Sequence, residues 1–94
     1  MSEGQSPPPP PPEFSFFCYS LAAQAMASLG LAPHPATGKT ERNLEQAKYT
    51  IDLLEMLKGK TEGNLTDDET KVLMSLLFDL RMKYVEESRS VKPE

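Results

Sequence analysis

Six consecutive prolines occupy residues 7–12 of this 94-residue chain. Proline lacks a backbone N–H and fixes its own φ, so the run excludes helix and sheet and favours an extended polyproline II rod. The preceding residues have no apolar side chain after the initiator methionine and cannot bury enough surface to offset the entropy of ordering. We therefore predict a disordered Pro-rich tail over residues 1–13, and its composition favours a solvated terminus over a docking peptide. Residues 14–91 are predicted to form one helical domain, since this length allows no more.

Residues 14–32 contain no charged side chain and predict a first helix over about residues 14–29. A membrane span needs about 20 predominantly apolar residues, whereas small and polar residues dilute this segment. Gly30 and Pro33 follow as the usual signals for the end of a helix. Large or apolar side chains lie on two faces of this helix, which therefore needs cover on several sides. One face carries Phe14, Phe17, Leu21 and Leu29, and the other carries Phe16, Tyr19, Ala23 and Met26.

Two further helices are predicted at about residues 44–58 and 67–87. Thr66 followed by Glu69 predicts a capping box, in which each side chain satisfies a backbone N–H of the other residue. The short connection at residues 59–65 contains two glycines and suits antiparallel neighbours. The predicted fold class is therefore all-α: a small three-helix domain, with helices two and three as an antiparallel hairpin.

The second and third helices carry more apolar surface than one core requires. Asn43 and Gln46 predict a capping box at the start of the second helix, which is apolar over about two thirds of its circumference. The third helix has two apolar stripes, and we expect one of them to enter the core. The predicted core contains Leu44, Ile51, Leu54, Leu73, Leu77 and Leu80.

This surplus of apolar helix surface predicts a partner. Three short helices can bury about one apolar stripe each within one chain. A further apolar stripe is most commonly buried against a second copy of the chain related by a two-fold axis. We therefore predict a non-catalytic protein-interaction or assembly module that forms a homo-oligomer, most simply a dimer, with an unidentified protein as another possible partner. The alternative for each apolar residue is an ordinary core position. The predicted partner interface comprises Phe16, Tyr19, Met26, Met74, Phe78, Met82 and Val85.

Two other functions stay open. A peripheral membrane protein would use the uncharged helix at residues 14–29, but that helix lacks the Lys and Arg face of surface-seeking helices. A small enzyme would need a carboxylate or Cys18 in an enclosed cleft. A net charge of −4 without a strongly basic segment argues against nucleic acid as a partner. The single cysteine and the lack of a signal-peptide pattern predict a cytoplasmic location.

The residues that could carry chemistry predict no catalytic, cofactor or metal site. GKT at residues 38–40 and 59–61 lacks the glycine spacing of a phosphate-binding loop. His34 is the only histidine and is expected to be an ordinary loop residue. Cys18, within the first helix, is expected to be a buried thiol with a raised pKa and little reactivity.

The acidic residues of the second and third helices are expected to lie on solvated faces or in ion pairs rather than in a paired-carboxylate site. The residues concerned are Asp52, Glu55 and Asp79, with Lys48, Arg81 and Lys83 as their expected partners.

The segment at residues 43–57, followed by KTEGNLT at residues 60–66 and LRMKYV at residues 80–85, resembles a small bacterial family known as domain of unknown function 1844. The resemblance covers roughly residues 14–85, and the KTxGNLT turn is its most specific part. It implies a short, predominantly helical bacterial protein of the cytosol without an assigned activity. It therefore transfers no catalytic or binding residue to this chain.

Overall fold

A computed structural model describes residues 8–9, 11–34 and 36–90, most of which are helical. The helices are α1 (Phe14–Ser28), α2 (Leu44–Lys60) and α3 (Asp67–Ser90). Within the described ranges there is no strand, and one isolated antiparallel bridge joins Leu29 and Arg42. The predicted all-α, three-helix fold is confirmed. The helices begin where the sequence predicts, while α2 and α3 continue slightly further than expected.

Only part of the predicted tail is described. Pro8, Pro9 and residues 11–13 lie outside any helix and are exposed to solvent. Residues 1–7 and Pro10 lie outside the described residues, so the disorder predicted for them stays a prediction. The same holds for the division of the chain into a tail and one helical domain.

The connection between α2 and α3 is short and well capped. The backbone N–H of Glu69 donates to Thr66 Oγ1 at 3.1 Å, and the Thr66 N–H donates to Glu69 Oε1 at 2.8 Å, which is the predicted capping box. Gly63 has φ +86, a left-handed conformation that glycine adopts without strain. The Arg81 guanidinium of α3 pairs with Glu55 of α2, an ion pair between the two helices of the antiparallel hairpin.

A backbone hydrogen bond joins the end of α1 to the start of α2. Asn43 Oδ1 accepts from the Gln46 N–H at 3.0 Å, which is one half of the predicted capping box. The other half does not form, because the Asn43 N–H donates to the Ser28 carbonyl at 2.7 Å instead of to the Gln46 side chain. Gly30 has φ +80, and a Cβ at this position would lie 3.2 Å from Arg42 Cβ. The backbone conformation therefore favours glycine here, and any side chain would also require Arg42 to shift by a few tenths of an ångström.

The core lies between the three helices, all of which contact one another. Of the predicted core, Leu44 is part-buried against the cluster, and the other five residues are buried. The buried cluster contains Cys18, Leu21, Ala22, Ala25 and Leu29 around α1, Ala47, Ile51 and Leu54 from α2, and Leu73, Leu77 and Leu80 from α3.

Two sequence-based expectations about helix faces need correction. Leu21 is buried, but Phe17, which helical periodicity places on the same face, is half exposed. The side of α1 that packs into the core carries mainly small residues. The aromatic rings therefore lie on the sides of the helix that face solvent. On α2, Tyr49 and Met56 are also exposed, so less of that helix is buried than the predicted two thirds.

Candidate interaction surface

One side of α3 faces solvent although its side chains are large and apolar. Its members follow one another three or four residues apart, so they share one face of the helix. They are 45–67% exposed, whereas Leu73, Leu77 and Leu80, on the other apolar stripe of α3, are buried in the core. We call this surface the α3 apolar face, and it comprises Met74, Phe78, Met82 and Val85.

The α3 apolar face lines a groove of about 550 Å³. All four of its residues contribute to the lining, together with the buried Leu77. The remaining lining residues are charged: Lys58 from α2, and Arg81, Glu86 and Arg89 from α3. The groove therefore combines an apolar surface with polar edges, which is the usual composition of a protein–protein interface.

The charges around the groove differ in sign from the chain as a whole. Three of the four charged lining residues are basic, whereas the chain has a net charge of −4. Arg81 is paired with Glu55 of α2, which leaves the basic Lys58 and Arg89 and the acidic Glu86 as the other charged residues of the lining. The groove is thus suited to an apolar surface flanked by acidic side chains.

The seven residues predicted as a partner interface do not form one surface. Met74, Phe78, Met82 and Val85 lie together, as described above. Phe16 and Tyr19 of α1 are slightly more than half exposed but are not among the residues that line the groove. Met26 is part-buried and packs against the core. Phe17 is not among the seven predicted residues, yet it is about as exposed as Phe16 and Tyr19.

Cys18 is buried, as the sequence predicts. Burial raises the pKa of its thiol by desolvating the thiolate, and the nearby Glu69 carboxylate raises it further. The thiol is therefore protonated at neutral pH and is a weak nucleophile.

The acidic residues singled out in the sequence lie in exposed ion pairs. Lys48 Nζ lies 3.0 Å from Asp52 Oδ2, and this hydrogen bond, together with the carboxylate charge, raises the pKa of Lys48. Lys83 Nζ lies 2.7 Å from Asp79 Oδ1. Both pairs join successive turns of one helix and contribute little to stability because water screens them.

His34 belongs to its own loop, where its Nδ1 accepts a hydrogen bond from the Ala36 N–H at 3.1 Å. Within the described part of the chain, no three His, Cys, Asp or Glu side chains come together in a way that could hold a metal ion. Nor does any helix of this part combine the length and the apolar character needed to cross a membrane.

Comparisons with known proteins identify a family but no relative of established function. The model of the family described as Domain of unknown function (DUF1844) matches residues 11–86, a range that contains α1, α2 and most of α3. No curated protein and no solved structure matches the chain significantly. Because the family model covers most of its length, the chain belongs to the DUF1844 family.

Proposed function

We propose that this protein is a non-catalytic protein-interaction module that self-associates through the α3 apolar face. The observation that carries the proposal is the exposure of four large apolar side chains along one groove. Contiguous apolar surface in water costs about 25 cal/mol per Å², so association that removes it from water is favourable. We further propose that the protein acts in the cytoplasm, where a free thiol such as that of Cys18 persists.

The chemistry of the groove supports binding rather than catalysis. Among the described residues that line it, Glu86 supplies the only carboxylate, and there is no hydroxyl, thiol or imidazole. General acid–base or nucleophilic catalysis usually needs a pair of such groups. Met74 and Met82 instead provide flexible, polarizable side chains, which adapt well to an apposed protein surface.

A second copy of the chain is the partner that requires the fewest further features. In a two-fold dimer each chain offers the same surface, so the groove of one chain covers the α3 apolar face of the other. The partner must then be apolar and carry nearby acidic groups, and the chain meets both conditions. The first turn of α3 supplies Asp67 and Asp68, whereas the Glu69 carboxylate is engaged in the capping box.

Self-association is expected to protect two methionines from oxidation and to leave a third one unprotected. Met74 and Met82 are 51% and 49% exposed in one chain, and Met56 on α2 is 45% exposed. Dilute hydrogen peroxide converts exposed methionine to the sulfoxide, so in isolated chains the three should react at similar rates. At concentrations that favour association, Met74 and Met82 should react several-fold more slowly than Met56.

The measurement is the initial rate of sulfoxide formation at each methionine, followed by peptide mass spectrometry at several protein concentrations. Met56 is the internal control, since it lies outside the groove lining. Similar rates at all three positions at every concentration would overturn the proposal.

A second candidate function is binding to a membrane surface through α1. The exposed rings of Phe16, Phe17 and Tyr19 favour it, since aromatic side chains partition into the interface of a bilayer. Against it, α1 carries no Lys or Arg to hold acidic lipids. Flotation with lipid vesicles, lost on changing Phe16 and Phe17 to serine, would favour this function over self-association.

A further inference from the structure

We infer that the second copy lies antiparallel to α3, with the two-fold axis passing beside Phe78. The inference rests on the proposed self-association and adds the arrangement of the two chains. Its basis is the distribution of apolar and charged side chains along α3 on the two sides of Phe78.

The apolar residues are placed symmetrically about Phe78. In an antiparallel pair of identical helices, a residue before the axis faces the residue equally far beyond it in the other chain. Met74 and Met82 lie four residues on either side of Phe78. With the axis at Phe78, this ring therefore faces its own copy, and each Met74 faces Met82 of the second copy.

Charged residues near the two ends of α3 are also placed symmetrically about Phe78, and the residues at matching positions have opposite charges. Asp67 and Arg89 lie eleven residues on either side of Phe78. In the antiparallel dimer each Asp67 therefore faces Arg89 of the second copy. Lys71 and Glu86 lie seven and eight residues from Phe78, so they also come close to each other between chains.

All these side chains lie on one side of α3. At 100° per residue, Asp67, Lys71 and Arg89 fall in the same sector of about 80° as the α3 apolar face. Glu86 borders this sector and lines the groove together with Arg89. The core-facing residues of α3 occupy a different sector, so a second helix can pack on the α3 apolar face without displacing α1 or α2.

Charge distinguishes the antiparallel arrangement from the parallel one. In a parallel pair in register, Asp67 would face Asp67 and Arg89 would face Arg89, so that like charges meet. In the antiparallel pair opposite charges meet at both ends, and the two helix dipoles oppose each other favourably. Within the described residues, the side chains of Asp67, Lys71, Glu86 and Arg89 form no ion pair. They are therefore available to a second chain.

A zero-length crosslink between Lys71 and Glu86 tests this arrangement on the wild-type protein. The two residues are fifteen positions apart on one continuous helix, or about 22 Å along its axis. Carbodiimide joins an amine directly to a carboxylate, so it cannot link these two side chains within one helix. A Lys71–Glu86 crosslink therefore reports contact between two chains.

The experiment mixes ¹⁴N- and ¹⁵N-labelled chains, treats them with carbodiimide and identifies the joined peptides by mass spectrometry. We expect Lys71–Glu86 peptides that join labelled to unlabelled chains, and we expect them to disappear on dilution. Lys83 and Asp79 are the positive control, because they lie 2.7 Å apart within one chain and should crosslink at every dilution.

The outcomes separate this inference from the proposed function. Methionine protection without the Lys71–Glu86 crosslink, while the Lys83–Asp79 crosslink forms, would overturn the antiparallel arrangement and leave self-association standing. Absence of both the protection and the Lys71–Glu86 crosslink would overturn both.

Discussion

Replacing Phe78 with lysine is expected to weaken self-association by at least about 100-fold. Burying one large apolar side chain contributes about 1.5–3 kcal/mol, and a two-fold dimer loses this contribution at both copies of the ring. The combined loss of roughly 3–6 kcal/mol corresponds to a factor of 100 or more in the dissociation constant. The two new ammonium groups also lie beside the basic residues of the groove, and they repel each other across the two-fold axis.

Tyr49→Lys is the matched control for Phe78→Lys. Tyr49 is 59% exposed and Phe78 is 67% exposed, so each substitution places a lysine where one chain has an aromatic ring in water. Tyr49 lies on α2 and does not line the groove. Sedimentation should show dissociation for Phe78→Lys alone, with helical circular dichroism unchanged in both variants. Equal weakening by both substitutions would show that the α3 apolar face has no special role.

Replacing Leu54 with alanine is expected to lower the free energy of unfolding by about 3 kcal/mol. Leu54 is fully buried in the core cluster, to which all three helices contribute, and truncating its side chain leaves a cavity that the surrounding side chains fill only in part. For a domain of this size the loss corresponds to a fall of roughly 10–20 °C in the unfolding temperature. Both variant and wild type must be unfolded at the same protein concentration, because association adds to stability.

Met56→Ala provides the comparison for the core substitution. It removes a large apolar side chain from the same helix, two residues away, at a position that is half exposed. We expect its effect to stay within about 1 kcal/mol, since exposed positions tolerate truncation. Thermal unfolding followed by circular dichroism measures both variants. A Leu54→Ala effect as small as that of Met56→Ala would contradict the core described above.

The fold was predictable because the chain carries its boundaries in short local signals. The capping box of Thr66 and Glu69 fixes where α3 begins, and Asn43 does the same for α2. The far ends of α2 and α3 carry weaker signals. The sequence predicts that the connection after α2 begins at Gly59. The backbone of Gly59 is helical instead, and α2 continues to Lys60.

The faces of α1 were less predictable, because this helix is apolar over most of its circumference. Helical periodicity then gives no preferred side, and the three-dimensional packing decides. Small side chains at Ala22 and Ala25 enter the core, where they allow close approach of the neighbouring helices. Phe16 and Phe17 are turned outwards as a result. Residue size along one stripe was the signal in the sequence that could have identified the buried face.

The candidate surface on α3 could be predicted to a larger extent. Two apolar stripes on one helix cannot both enter the same core. The stripe of Leu73, Leu77 and Leu80 consists of leucines, which pack well in a protein core, so it is the one expected to be buried. Exposure of the other stripe follows. The sequence did not reveal that the exposed aromatic residues of α1 lie outside the groove, because that depends on how the helices are placed around one another.

Sedimentation equilibrium of the wild-type chain at micromolar concentrations tests most directly whether the α3 apolar face is covered by a second molecule. We predict a mass of twice the 10.5 kDa of one chain, falling towards 10.5 kDa on dilution. A mass of 10.5 kDa at every concentration would contradict this account.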